Sequence, residues 1–130
     1  MQYKPEAVDL LEAIQEFLLK EVMPSAKGDE LLSYKSLVSW NMLGVVAREW
    51  KQEEELLGKE IARLEKYLGK ESQLKTSLAE KREYCQELNK EFANKVRAEK
   101  LSVEHKDAWE LAKETLKERL SISNPRFSLD

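Results

Sequence analysis

Twelve consecutive residues, Ser36 to Ala47, carry no charge in a chain where 36% of residues are charged. That stretch constrains the fold more than any other feature. It is too short for the roughly 20 apolar residues that a membrane span needs. Leu37, Val38, Trp40, Met42, Leu43, Val45, Val46 and Ala47 sit at spacings that cover most of a helix circumference. A helix apolar all round is expected to be buried. The expectation is a central helix beginning near Asp29, a good N-cap, with the other helices packed around it.

The surrounding segments repeat at helical period. Pro5 to Met23 carries Leu10, Leu11, Ile14, Phe17, Leu18 and Val22, with Pro24 and Gly28 marking a loop. Leu57, Ile61, Leu64 and Leu68 give a narrow stripe that Gly69 ends, and a bend is expected near Gly58. A fourth helix is expected over 71–99, with Leu74, Leu78, Cys85, Leu88, Phe92 and Val96 on one side. The last is expected over 103–121, capped by Ser102, with Trp109, Ala112, Leu116 and Leu120 as its stripe. Asn124-Pro125 ends it, because a residue before proline disfavours helical geometry. No strand pattern survives. The expectation is one all-α domain over 1–130, an antiparallel bundle of four to five helices.

Charge and cysteine usage limit the setting. Acidic and basic residues alternate and the net charge is −3. That pattern marks solvated helix faces, and no basic patch suggests nucleic acid. The single Cys85 cannot form an internal disulfide, which fits a reducing, cytoplasmic compartment. The amino-terminal residues lack a signal-peptide apolar block.

Few residues offer chemistry. His105 is the one histidine, so a pair of Glu-x-x-His motifs is excluded, and no cluster has zinc-ligand spacing. It reads as a surface histidine, and no metal or cofactor is expected. Cys85 falls within an apolar stripe and reads as a small buried hydrophobe. Glu83, Glu87 and Glu91 share a face with interleaved bases, which suits a solvated surface. The isolated glycines form no phosphate-cradling loop. No catalytic residue emerges.

Polar residues on apolar helices are more informative. Asn41 and Arg48, about two turns apart, share a stripe of the uncharged helix, with Gly44 beside them and Glu49 following. Buried, they need hydrogen-bond partners. They form either a structural network or a pocket for an anion or carbonyl, with the network favoured. Asn89 and Arg97 make a second pair, and Asn124 and Arg126 a third.

Three segments together resemble an uncharacterised bacterial helical family, a domain of unknown function. They are Asp9–Ile14 through Phe17-Leu18 to Val22-Met23-Pro24, then Asn41 through Val45–Glu49, and finally Leu88-Asn89 through Val96-Arg97 to Leu116–Leu120 and Asn124–Phe127. The chain departs from the family over Glu71 to Gln86, which is longer here. Members are often encoded beside aminoglycoside-phosphotransferase-like kinases and acyl-CoA dehydrogenases. The resemblance implies a small helical accessory protein, with such an enzyme as its protein partner.

The leading functional expectation is a non-catalytic accessory or protein-interaction module serving a metabolic enzyme. Trp40, Trp50 and Trp109 are possible interface anchors. The alternatives are a helical bundle that binds, or acts on, a small anion or acyl ligand, and a structural homodimer.

Overall fold

The computed structural model describes residues 3–127. Every regular element among them is helical, and the helices pack against each other. In chain order they are α1 (Ala7–Phe17), a wider π-turn segment (Leu18–Val22), α2 (Met23–Ser25), α3 (Glu30–Leu68), α4 (Leu78–Ala98) and α5 (Lys106–Ser123). The chain divides into two compact units, residues 1–52 and 53–130, and α3 contributes to both.

In the first unit the helix from Ala7 continues through Pro24 to Ser25, past its expected end. Pro24 has no N–H, and its ring crowds the carbonyl four residues earlier. Across this region the chain widens into the π turn, where the Met23 N–H donates to the Leu18 carbonyl. Pro5 lies outside the helix, whose first residue is Ala7. The Asp9 carboxylate accepts the Glu6 N–H at 2.7 Å at this end. Asp29 caps α3 as the sequence indicated, accepting the Leu32 N–H at 3.0 Å. The pairs Glu12–Lys51 and Gln15–Trp40 set α1 antiparallel to the first half of α3.

The expectation of a buried central helix over 37–47 does not hold. Leu37, Met42 and Val46 are exposed, and the buried positions are Ser36, Gly44 and Ala47. The fully buried positions of this half of α3 are small residues, with Trp40 and Leu43 half-buried beside them, and the larger apolar side chains Leu37, Met42 and Val46 lie outside.

α3 runs through Gly58 without the expected break. An isolated glycine costs only about 1 kcal/mol in a helix interior, too little to overrule the packed helix around it. The helix ends where Gly69 indicated. Gly69 has φ +68°, and the Lys70 N–H returns to the Glu65 carbonyl at 2.9 Å.

The second unit holds the core: Ile61, Leu64, Tyr84, Cys85, Leu88 and Leu111, with Leu57, Tyr67, Leu68 and Phe92 packed against it. Residues 70–77 are not helical, although a helix was expected from Glu71. The Glu65 carboxylate accepts the Gln73 N–H at 2.8 Å and the Tyr84 hydroxyl at 3.0 Å, tying this strap to the core. Helix α4 starts at the Ser77/Glu80 capping box, with reciprocal bonds of 3.1 and 3.0 Å. The pairs Glu53–Arg82, Glu60–Asn89 and Tyr67–Phe92 advance together along both helices. α4 therefore runs in the same direction as this half of α3, and the non-helical strap carries the chain back between them. α5 is antiparallel to α3, through Glu60–Arg119 and Arg63–Glu118. Its buried face is Ala108, Leu111 and Thr115, one residue out of step with the expected stripe, so Trp109, Ala112 and Leu116 are exposed.

Candidate interaction surface and buried polar cluster

Two places stand out, one in each unit. The first is the surface of residues 7–52. No large hydrophobic side chain there is fully buried; the buried residues are Ala26, Ser36, Gly44 and Ala47. On α1 and the π turn after it, the half-buried positions Leu11, Gln15 and Leu18 face the seam. Leu10, Ile14 and Phe17 form a second stripe at spacings of four and three, each about half exposed or more. On α3, Met42 is 62% and Trp50 70% exposed. A single exposed apolar residue needs no explanation, whereas contiguous ones mark interaction surfaces.

Arg48 lies over Gly44. A Cβ built at Gly44 would come within 3.0 Å of both the Arg48 Nη1 and the Gln15 Nε2. The Gln15 amide donates to the Trp40 carbonyl at 3.0 Å. Arg48 is half-buried, while Asn41 and Glu49 are exposed. The structure brings Arg48 to Gln15, a residue that sequence reasoning passed over as an ordinary polar position.

The second place is a polar cluster in the three-helix unit. Glu60, only 7% exposed, accepts the Asn89 Nδ2 at 2.7 Å and the Arg119 Nη2 at 2.6 Å. Asn89 also donates to the Cys85 carbonyl at 2.9 Å. One turn along α3, Arg63 grips Glu118 with both terminal nitrogens and reaches Thr115 at 3.5 Å. These groups link all three helices, and the carboxylates have partners for their buried oxygens. Such a network sets helix register. It leaves no free nucleophile. Burial pushes the Cys85 thiol up to about 12, and the nearby Glu60 charge adds to the shift. The thiol stays protonated at neutral pH, whereas reactive cysteines need the opposite environment.

The remaining polar residues are placed apart. Arg97 is exposed and donates to Asn94 at 3.4 Å, and Asn124 and Arg126 are exposed. His105 is exposed, with its Nδ1 accepting the Ser102 N–H at 3.0 Å, a local turn contact. Among the described residues no group of three or more His, Cys, Asp or Glu is placed to hold a metal. Sequence reasoning missed Glu60, Glu65, Arg63 and Arg119. Glu60 was detectable, being three residues after Leu57 and four before Leu64 on the apolar stripe.

No characterised protein and no solved structure matches the chain. A family model does match, over residues 26–127, which takes in α3, α4, α5 and the whole polar cluster. The match covers most of the sequence, and the chain belongs to the family described as Domain of unknown function (DUF6285).

Proposed function

We propose that the chain is a non-catalytic accessory or protein-interaction module that binds its protein partner, a second copy or a different chain, through the exposed apolar face of residues 7–52. One observation carries this reading. The hairpin buries small residues at its seam and leaves Leu10, Ile14, Phe17, Met42, Val46 and Trp50 outside. Hydrophobic association needs such a surface and no catalytic group. No described helix is long and apolar enough to cross a membrane. A cytoplasmic setting belongs to the proposal, supported by the single buried thiol. A phosphotransferase-like kinase and an acyl-CoA dehydrogenase are the first partners to offer it. The test is a pull-down from native extract with wild type and with the double variant Met42→Lys/Val46→Lys as bait. At least one protein, this chain included, should be retained stoichiometrically by wild type and lost by the variant. Equal profiles from the two baits would overturn the reading.

The convergence of the Arg48 guanidinium and the Gln15 amide over Gly44 favours a second reading, a small anion or acyl site at that point. A thermal-shift series of carboxylates, phosphates and acyl-thioesters tests it. A ligand that stabilises wild type but not Arg48→Ala supports the site. No shift by any of them removes it.

A further inference from the structure

We infer that the occupant of the apolar face is a second copy of this chain, two helical hairpins closing into a four-helix bundle. The inference rests on the reading of residues 7–52 as an interaction surface and names what covers it.

The first argument is the inverted seam. Two amphipathic helices in an isolated hairpin place their largest apolar groups between them. Here the fully buried residues of α3 in this unit are Ser36, Gly44 and Ala47, and Met42, Val46 and Trp50, spaced by four along one flank of the same helix, are exposed. Each helix thus has one flank against its neighbour and a second apolar flank with nothing against it. Four-helix bundles supply that second contact for every helix. A second hairpin of the same sequence brings two helices of matching length.

The second argument is area. Leu10, Ile14, Phe17, Met42, Val46 and Trp50 share one face of the hairpin, each about half exposed or more. At roughly 200 Å² for each large side chain, they offer on the order of 600 Å² of apolar surface per copy, close to the apolar share of the ~800 Å² per partner of a stable interface. That is the upper end of the ~300–600 Å² that the largest apolar patch of an ordinary monomer reaches.

The third argument is charge. Residues 1–52 carry six basic and eight acidic side chains, interspersed, and none from Ser36 to Ala47. A strongly charged partner finds no complementary field there. A second copy meets no row of like charges, and a two-fold pairing applies the same patch twice.

Sedimentation velocity on the full chain tests this. Wild type should sediment as a dimer, twice the 15.2 kDa chain mass. Ile14→Lys and Met42→Lys, on different helices and both at exposed positions, should each weaken association by about 100-fold, the size of a hot-spot loss. Trp109→Lys, an exposed apolar position on α5, should leave the dimer intact. Far-ultraviolet circular dichroism confirms that each variant keeps its helix. A wild type that stays monomeric at high micromolar concentration overturns the inference. So does a dimer that survives both Ile14→Lys and Met42→Lys, or one dissolved by Trp109→Lys alone. A monomeric wild type that still retains a foreign protein lost by Met42→Lys/Val46→Lys would sink self-pairing and leave the module reading standing.

Discussion

Asn89 shows how much one side chain can tie together. Its amide donates to Glu60 and to the Cys85 carbonyl. Replacing it with alanine removes one of the donors to the buried Glu60, so Asn89→Ala should lose about 1–3 kcal/mol in urea denaturation. The sequence marks Asn89 as an amide on an apolar helix and Glu60 as a carboxylate on an apolar stripe, but not that the two meet. Pairing between residues 29 positions apart is set by the helix register, which no local pattern encodes. Cys85 gives the second residue-level expectation. An unfolded thiol ionises near about 8.5. The folded thiol is raised to about 12, so the unfolded state releases a proton first. The stability this contributes is complete below about pH 8.5 and is lost as pH rises toward about 12. Calorimetry should show the melting temperature falling from about pH 9. Cys85→Val should delay that fall to about pH 10, where tyrosines begin to ionise. Tyr84, raised to about 12 by burial and by Glu65, then keeps the remaining slope. An unchanged onset in Cys85→Val would remove the thiol as its cause.

At the scale of elements, some termini were legible and others were not: α5 starts at Lys106 with His105 at its N-cap, where Ser102 was expected to cap it. Asp29 and Gly69 act as the sequence indicates, because a cap and a left-handed stop depend on a few adjacent residues. The start of α4 was misjudged because Glu71, Gln73 and Lys75 are good or tolerable helix formers. The Ser77-x-x-Glu80 box names the true start, and the strap before it is fixed by contacts to Glu65 that lie outside any local window. Gly58 tests the unbroken helix directly. A Cβ there meets nothing within 4 Å, so Gly58→Ala should raise stability by about 0.5–1 kcal/mol. A bend needing glycine would reverse that sign. The turn after α4 is the opposite case. Lys100 occupies the left-handed region at φ +51°, where Leu101 N–H returns to the Val96 carbonyl at 3.0 Å. Lys100→Gly removes the Cβ strain and should stabilise by about 0.5–1 kcal/mol in the same denaturation assay.

At the scale of the molecule, the all-helical fold was legible because periodicity and the lack of strand patterns are summed over many residues. The location of the core was not. An uncharged helix satisfies the pattern of burial whether it is covered by its own chain or by another, and sequence periodicity cannot distinguish them. The hydrophobic core belongs to residues 53–130, through Leu64 and Leu88, both fully buried. The first unit has no such large residue among those described, so its local opening should need far less free energy than global unfolding. Hydrogen exchange on the full chain can measure this. At low concentration, amides of Ala7–Phe17 and of residues 30–52 should exchange much faster than those in the middle of α4. Raising the protein concentration should then slow exchange in the first unit, because a partner that binds only the closed hairpin stabilises it by mass action. The centre of α4 should show no such gain beyond that of global stability. Strong protection of the hairpin in dilute solution, unchanged by concentration, would mean that its small-residue seam holds it without help, and that the exposed leucines and aromatics are not covered by a second copy.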